Sequence, residues 1–280
     1  MLLIVTDSAA DVPVEWQKEF DIHVMPANIK LGDKMYLPGV DLDAERFYRT
    51  VDQTRQIPVT TPPSPSQVVQ FYRKIAGRGD TILSIHITSK LSETLASVQA
   101  AGRELEGEFN VIPIDSRNAT AGIGMICRHA RLQERAGKNA AEIVKDIEQF
   151  CPKVGVVLTL NTLEYARLSG RMGRVQGALV TMLNVKPILI LKDGILEVAE
   201  RVHSREDALD RVLELVKARV GEGPVDIIVV HARDPKAGQL VLERAKAMFN
   251  TRDLILNDLS LSVAANVGPG TVGIAYCPVE

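Results

Sequence analysis

The chain has 280 residues, of which 46% are hydrophobic and 24% charged, and its formal net charge at pH 7 is −2. This length permits two domains with a sizeable core, and the composition is typical of a soluble globular protein. The charge balance gives no reason to expect nucleic acid or an anionic membrane as a partner, and no apolar run approaches the roughly 20 residues of a membrane-spanning helix.

The first 60 residues are predicted to begin with a buried strand over 2–5. This strand leads into Asp7, which is placed to cap a short helix predicted near Pro13. A strand pair is predicted over 22–31, followed by a hairpin-like turn at Gly32-Asp33. Asp43 is then predicted to cap the next helix.

The segment 60–94 is predicted to consist of a polar turn that begins at Thr60, a helix, a strand and a second polar turn, and it carries most of the polar candidates. Its helix has a predicted capping box, with Ser64 as the N-cap, Pro65 at the first helical position and Gln67 three residues after the cap. A buried strand is predicted over 82–87. Hydroxyl residues therefore lie beside two helix starts, at Thr60–Thr61 and Ser89–Thr94. At the carboxyl edge of an α/β sheet they would act either as helix caps alone or as a cradle for an anion.

The remainder of the first half continues the alternation of strands and helices, which predicts a mostly parallel sheet. The pair Gly122 and Gly124 lacks the third glycine of a dinucleotide-binding fingerprint and lies too far after its strand, so it indicates close helix packing. Asn139 and Glu142 form a second capping box. Pro152, together with a change of pattern, predicts a domain boundary. The predicted domains are 1–152 and 153–280.

The second half is predicted to be mixed α/β. After a strand over 154–160, Asn161 and Glu164 are predicted to cap a short helix, and a loop over 168–174 leads to a helix ending near 184. Asp193-Gly194 between two apolar runs predicts a hairpin. The other predicted elements are a helix from Ser204 to 220, a strand over 225–231, a helix from Asp234 to 249, and strands over 254–259 and 272–276.

Few residues indicate chemistry by themselves. The five histidines have no metal-ligand spacing, and His86 on its strand is predicted to be structural. The three cysteines lie far apart, which with no recognisable signal peptide predicts a cytoplasmic location. No G-x-S-x-G, P-loop or H-E-x-x-H motif is present, which argues against a stand-alone hydrolase or kinase. Arg171 and Arg174 either bind an anion or form a solvated basic loop. The segment 266–271 is predicted to be a tight turn.

Seven motifs occur in one order along nearly the whole chain: VTDSAADVP, TTPPSPS, LSETLASVQAA, VIPIDSRNATAGIG, LEYARLSGRMGRV, NVKPIL and NVGPGTVGIAY. In this order they resemble the DegV family of bacterial fatty-acid-binding proteins. The resemblance implies a two-domain DegV-like α/β fold, with a mostly parallel N-terminal sheet flanked by helices and a mixed α/β C-terminal domain. It also implies that the protein encloses one long-chain fatty acid, and that some members present the acid to a separate dihydroxyacetone-kinase-like fatty acid kinase that forms acyl phosphate.

The resemblance also implies a set of site residues, with Asp7 in the wall of the ligand site. Arg171 and Asn266 would support phosphotransfer by the kinase, and no catalytic residue, metal or cofactor besides the bound acid is implied. The residues that the resemblance assigns to the fatty acid carboxylate are Thr60, Thr61, Ser92, Thr94, Arg171, Asn266 and Thr271.

Three positions depart from the family pattern. Pro62 stands where the family often has Gln, and it removes a backbone donor. Glu93 stands where Gly is usual, and its charge would repel an anion unless the side chain points away. Asn266 stands where His is usual, and an amide can form hydrogen bonds but cannot serve as a general acid or base.

Three functions remain open on these residues. The first is a non-enzymatic carrier that binds a long-chain fatty acid and presents its carboxyl group to a kinase. The second is an enzyme of small-molecule phosphoryl or acyl transfer that uses Arg171 and the hydroxyl groups. The third is a sugar- or nucleotide-binding module at the same sheet edge. The resemblance favours the first.

Overall fold

The computed structural model describes residues 1–170 and 185–279. Its strands are β1 (Leu2–Asp7), β2 (Ile22–Met25), β3 (Asn28–Leu31), β4 (Lys34–Tyr36), β5 (Val59–Thr61), β6 (Thr81–His86), β7 (Asn110–Asp115), β8 (Gly155–Thr159), β9 (Lys186–Lys192), β10 (Ile195–Val202), β11 (Pro224–His231), β12 (Asn250–Asp258) and β13 (Val272–Pro278). Its α-helices are α1 (Val14–Glu19), α2 (Ala44–Thr54), α3 (Pro65–Ile75), α4 (Thr94–Glu104), α5 (Ala121–Arg135), α6 (Ala140–Phe150), α7 (Glu164–Ser169), α8 (Arg205–Val220), α9 (Pro235–Met248) and α10 (Leu261–Val267). Short 3₁₀ turns lie at Ser8–Ala10 and Cys151–Lys153. Within the described ranges, none of the helices is both long enough and apolar enough to cross a membrane.

The first sheet consists of four parallel strands in the order β2-β1-β6-β7. Both of its faces are covered, so its central strands are apolar on both sides. Ile4 and Leu83 pack in one core cluster with residues of α1 and α5, whereas Val5 and Ile82 pack in another with residues of α3 and α4. This arrangement confirms the predicted parallel sheet flanked by helices.

The second sheet has six strands in the order β10-β9-β8-β13-β11-β12 and is mixed, because β11 and β12 are parallel and the other neighbours are antiparallel. Helices α8 and α9 cover one of its faces. On the other face, Val156 and Ile228 share a core cluster with residues of α5 and of the first sheet. Helix α5 therefore lies between the two sheets, and the apolar core is continuous from one half of the chain to the other.

Close packing of α5 explains the two glycines near its start. A Cβ atom at Gly122 would lie 2.2 Å from Asn118 Oδ1 and 3.1 Å from Val156 Cγ2, and one at Gly124 would lie 3.2 Å from the carbonyl oxygen of Ala10. These distances are shorter than normal van der Waals contact, so a side chain at Gly122 would displace its neighbours. The prediction that these glycines serve helix packing is confirmed.

A third sheet, antiparallel and in the order β4-β3-β5, corrects two expectations. Strands β2 and β3 do not pair with each other: β2 joins the parallel sheet and β3 joins this small one. The hairpin at Gly32-Asp33 is confirmed, since it joins β3 and β4. Thr60 and Thr61, predicted to lie in a turn, form the end of β5 and pair with Ile29 and Asn28. The sheet packs with α2 through buried residues such as Phe47.

Most predicted helix caps are confirmed, including the capping boxes of α3 and α6 and the cap of α8 at Ser204. The predicted capping of α7 by Asn161 is wrong. Leu163 holds the N-cap position without a side-chain hydrogen bond, and Asn161 instead accepts a hydrogen bond from Lys186 Nζ at 2.9 Å. Leu168, predicted to lie in a loop, belongs to α7. The predicted loop and helix over 171–184 lie outside the described residues. The division at 152/153 stays a prediction.

Candidate functional site

A cavity with an empty volume of about 830 Å³, counting the part open to solvent, lies at the carboxyl end of the parallel strands β1 and β6. Its far wall comes from β8, β9 and β10 of the six-stranded sheet, and α10 closes one side. Twelve of the described residues that line it are apolar: Ala9, Ala27, Pro62, Ile87, Leu91, Ala119, Val156, Leu158, Leu191, Leu196, Val263 and Val267. Eight are polar: Asp7, Thr60, Thr61, Ser92, Thr94, Thr120, Ser262 and Asn266.

Ser92 and Thr94 form a hydroxyl pair at the start of α4. Their side-chain oxygens lie 2.9 Å apart, and the backbone N–H of Thr94 donates to Ser92 Oγ at 3.2 Å. Only one of the two hydroxyl protons can lie between these oxygens, so the pair retains a second proton for another acceptor. Because the start of an α-helix also presents unpaired backbone N–H groups, this corner of the cavity favours a negatively charged group.

Asn266 connects α10 to the small sheet across the cavity. Its Nδ2 donates to Thr60 Oγ1 at 3.1 Å and to the carbonyl oxygen of Ser262 at 2.7 Å. A carbonyl oxygen can only accept, so the amide nitrogen must face Ser262, and both of its protons are engaged. Oδ1 is therefore the polar atom of Asn266 that remains for a ligand, and it can only accept.

Asp7 sits in the cavity wall and is held by three donors. Its Oδ1 accepts from Ala9 N at 2.9 Å, while Oδ2 accepts from His86 Nδ1 at 2.9 Å and from Ile87 N at 3.1 Å. It caps the 3₁₀ turn Ser8–Ala10 and also fixes the imidazole of His86, whereas the predicted helix near Pro13, α1, has Pro13 itself at its N-cap position.

The contacts of the imidazole continue inward from the cavity. Nε2 of His86 lies 2.6 Å from Ser84 Oγ, which lies 2.5 Å from the hydroxyl of Tyr72. An Asp, a His and a Ser in contact are the composition of a hydrolytic triad, but Ser84 and His86 are fully buried and the serine oxygen also contacts a tyrosine. No substrate could reach that oxygen. The chain of contacts is structural, in agreement with the prediction for His86.

Asp11 links the first half of the chain to the helix that carries Asn266. Its Oδ1 accepts from Ser260 N at 2.7 Å, directly before α10, and its backbone oxygen accepts from Asn257 Nδ2 at 2.8 Å. The other carboxyl oxygen is buried and has no hydrogen-bond partner. Burial raises the pKa of Asp11 to about 7, with a smaller contribution from the nearby charge of Asp7, although the hydrogen bonds from Ser260 act in the opposite direction.

The sequence did not single out Asp11, nor the contact between Ser8 Oγ and Ser262 Oγ at 2.7 Å, which also joins the two halves. The only local signal for Asp11 is its position between the end of β1 and Pro13. Its positive φ of 42° depends on the packing around it. The apolar walls from β8, β9 and β10 were also missed, because they are core residues by pattern.

The structure brings five of the seven predicted site residues to this cavity: Thr60, Thr61, Ser92, Thr94 and Asn266. Thr271 does not line it, since its buried hydroxyl bonds to the carbonyl oxygens of Val267 and Gly268 at 2.9 Å each, within the turn after α10. Arg171 lies outside the described residues, as does Arg174. Pro62 lines the cavity, whereas Glu93 is exposed and is not part of the described lining. Among the described residues no group of three or more His, Cys, Asp or Glu side chains could hold a metal ion.

Comparisons with known proteins agree with this architecture. The family model that matches residues 1–279 is described as "Uncharacterised protein, DegV family". A DegV domain-containing protein of Streptomyces coelicolor is 30% identical over 97% of this chain and 96% of its own. The structure of a DegV family protein of Thermus thermophilus, described for its fatty acid binding, matches with a TM-score of 0.87 and 26% identity over 99% of both chains. DegV of Bacillus subtilis, described as a fatty acid binding protein, matches with a TM-score of 0.88 and 25% identity over 99% of both chains. These likenesses confirm the predicted α/β fold.

Proposed function

Because this chain belongs to the DegV family, we propose that it binds one long-chain fatty acid in the cavity at the carboxyl end of β1 and β6. The observation that carries this proposal is the composition of the cavity wall, which joins twelve apolar side chains to a group of hydroxyls at the start of α4 and the end of β5. The two solved relatives described for fatty acid binding support the same ligand class.

The apolar wall accounts for the acyl chain. Each methylene transferred from water into such a wall contributes roughly 0.8 kcal/mol, so a long chain contributes on the order of 10 kcal/mol before the losses of ordering and association. Leu158, Leu191 and Leu196 provide part of this surface from the second half of the chain. A sugar or a nucleotide would leave its polar groups unpaired against these side chains, which is costly.

The hydroxyl groups account for the carboxylate. A buried carboxylate needs hydrogen-bond donors, and the Ser92–Thr94 pair has one hydroxyl proton to offer beside the N-terminus of α4. Thr60 and Thr61 line the same cavity from β5. The resemblance also assigns Arg171 to the carboxylate. Arg171 lies outside the described residues, so only the resemblance supports its place in the proposal.

We further propose that the protein acts as a carrier and not as an enzyme, and that it presents the carboxyl group to a separate fatty acid kinase. Two points support this step. The first is the family resemblance. The second is that the described residues of the cavity include no accessible nucleophile paired with an activating base. Asn266, which stands where the family usually has His, would make this chain a poor participant in acyl phosphate formation.

Mass spectrometry of the lipid extracted from denatured protein tests the binding proposal. We expect a long-chain fatty acid in near-stoichiometric amount from wild type and less from Ser92→Ala. The matched control is Ser89→Ala, since Ser89 Oγ donates to Asp115 Oδ2 at 2.6 Å and does not belong to the described cavity lining. If a sugar phosphate or a nucleotide is recovered instead, or if no fatty acid rebinds to delipidated protein, the proposal is wrong.

A further inference from the structure

The start of α5 carries a polar group to which the proposed carboxylate site gives no role. Thr120 is 3% exposed and is one of the eight polar residues that line the fatty acid cavity. Of the described residues in this lining, it alone has a buried side-chain polar atom, Oγ1, without a hydrogen-bond partner. Because most buried hydroxyls in proteins are paired, an unpaired one in a cavity wall points to a partner on the ligand.

The hydroxyl of Thr120 does not cap its own helix. A threonine at an N-cap normally accepts a hydrogen bond from a backbone N–H of the first turn. Thr120 holds the N-cap position of α5 with a φ of 51° and a ψ of −148°, and its side chain makes no such bond. The N–H of Ile123 donates instead to the carbonyl oxygen of Thr120 at 3.0 Å. The start of α5 therefore places an unused hydroxyl beside the positive end of a 15-residue helix.

This hydroxyl lies close to the proposed carboxylate site at the start of α4. Thr88 connects the two loops, because its N–H donates to the carbonyl oxygen of Asn118 at 3.0 Å and its carbonyl oxygen accepts from Ser92 N at 3.2 Å. Thr120 follows Asn118 by two residues. A fatty acid with its carboxyl group at Ser92 therefore has the part of its chain nearest the carboxyl group beside Thr120.

We propose that Thr120 binds an oxygen substituent on the acyl chain, so that the preferred ligands are hydroxy or oxo fatty acids substituted near the carboxyl group. This inference rests on the proposed function and refines its substrate class. The methylenes of an unsubstituted acid would leave Thr120 Oγ1 unpaired, which is unfavourable for a buried hydroxyl. A hydroxyl on the ligand can donate to this atom or accept from it, whereas an oxo group can only accept. Both groups carry lone pairs, which the positive end of a helix favours.

The test is a double-mutant cycle between Thr120 and the oxygen of the ligand, measured by isothermal titration with delipidated protein. The ligands are hexadecanoic acid and its monohydroxy derivatives, from the α-hydroxy to the ω-hydroxy acid, with the oxo acids as a separate arm. Thr120→Val removes the partner of the ligand's oxygen. We expect an acid substituted near the carboxyl group to bind about fivefold to a hundredfold more weakly to this variant than to wild type, because a buried polar group is left unpaired. The affinity for the unsubstituted and ω-hydroxy acids should change much less.

Three further substitutions make the comparison specific. Valine is β-branched like threonine, so Thr120→Val retains the shape of the side chain at a φ of 51°, and Thr120→Ala replaces it if the valine variant does not fold. Thr120→Ser keeps the hydroxyl and should keep the preference for the substituted acid. Thr159→Val removes another buried, unpaired hydroxyl, from a residue outside the described cavity lining, and should leave this preference unchanged.

The outcomes separate this inference from the proposed function. If wild type binds neither unsubstituted nor substituted acids, the proposed function itself fails. If Thr120→Val weakens the binding of every acid by the same factor, Thr120 contributes to the carboxylate site and the inference is wrong. If wild type binds fatty acids, but each substituted acid binds wild type and Thr120→Val equally, the hydroxyl recognises no oxygen on the chain and the inference is also wrong.

Discussion

Replacing Asp11 by Asn should make the protein more stable at pH 8 than wild type, with an advantage that disappears as the pH is lowered toward 4. Asp11 is 5% exposed, and one of its carboxyl oxygens has no hydrogen-bond partner. Burial raises its pKa from 3.8 to about 7, so the folded protein keeps a proton that the unfolded chain releases above pH 4. The protonated carboxyl of Asp11 therefore makes its full contribution to the free energy of unfolding below pH 4, and this contribution is lost as the pH rises through 7.

The magnitude follows from the size of this shift. A carboxyl whose pKa moves from 3.8 to about 7 contributes a penalty on the order of 4 kcal/mol once it is ionised in the folded state. Asparagine retains Oδ1 as the acceptor for Ser260 N but places an unpaired N–H₂ group where the second oxygen was, which costs about 1–3 kcal/mol. The net stabilisation expected at pH 8 is thus about 1–3 kcal/mol, and near pH 4 the substitution should be neutral or unfavourable.

Urea unfolding followed by circular dichroism at pH 4, 5, 6, 7 and 8 measures this dependence directly. The difference in unfolding free energy between Asp11→Asn and wild type should grow by up to about 1.4 kcal/mol per pH unit between pH 4 and 7. Asp33→Asn, which removes the same charge from an exposed hairpin turn, is the control and should show no comparable trend. A constant difference across this range would show that Asp11 is ionised throughout and that the reasoning from burial is wrong.

Three further predictions concern the cavity and its packing. Ser92→Ala should weaken fatty acid binding by about tenfold to a hundredfold, because a hydrogen bond to a charged group contributes about 1.5–3 kcal/mol. Unchanged affinity in a titration would contradict the assigned carboxylate site. If proton transfer limits the reaction, Asn266→His should raise kinase-dependent acyl phosphate formation by about a hundredfold to ten-thousandfold. Equal turnover by wild type and variant would show that the proton chemistry of this residue does not matter. Gly122→Ala should lower the free energy of unfolding by about 1–3 kcal/mol, because its Cβ would lie 2.2 Å from Asn118 Oδ1. Gly77→Ala, whose Cβ would meet only Asp80 Oδ2 at 3.4 Å, should change it much less in the same urea titration.

The elements that the sequence predicted correctly depend on interactions between residues close in the chain. The capping box of Ser64 and Gln67 closes within one helical turn, and the Asp193-Gly194 hairpin is determined by the turn itself. The incorrect predictions concern residues whose structure is determined by partners distant in the sequence. Asn161 had the spacing of a helix cap but bonds to Lys186, and the two strands within 22–31 were assigned to one pair although each finds its partners elsewhere.

The candidate site was partly predictable for the same reason. Its hydroxyl residues lie next to helix starts and strand ends, which are local signals. Its apolar walls are residues such as Val156 and Leu191, which any strand pattern assigns to a core. Their exposure to a cavity depends on how the six-stranded sheet packs against the first half of the chain, and no local pattern encodes that packing.

The hydrogen bonds of Asn266 show how the site differs from one with His, the usual residue of the family, at this position. The amide nitrogen donates two hydrogen bonds, to Thr60 Oγ1 and to the carbonyl oxygen of Ser262, and so ties α10 to β5. A neutral imidazole has a single N–H and could keep only one of these bonds. Histidine at this position would therefore exchange one fixed contact between the helix and the small sheet for a titratable nitrogen at the cavity. We infer that Asn266 favours a rigid carboxylate site, whereas His would favour proton transfer. In that case Asn266→His should release the fatty acid faster than wild type while it supports more turnover by the kinase. A slower release together with higher turnover would show that the link between α10 and β5 does not hold the ligand.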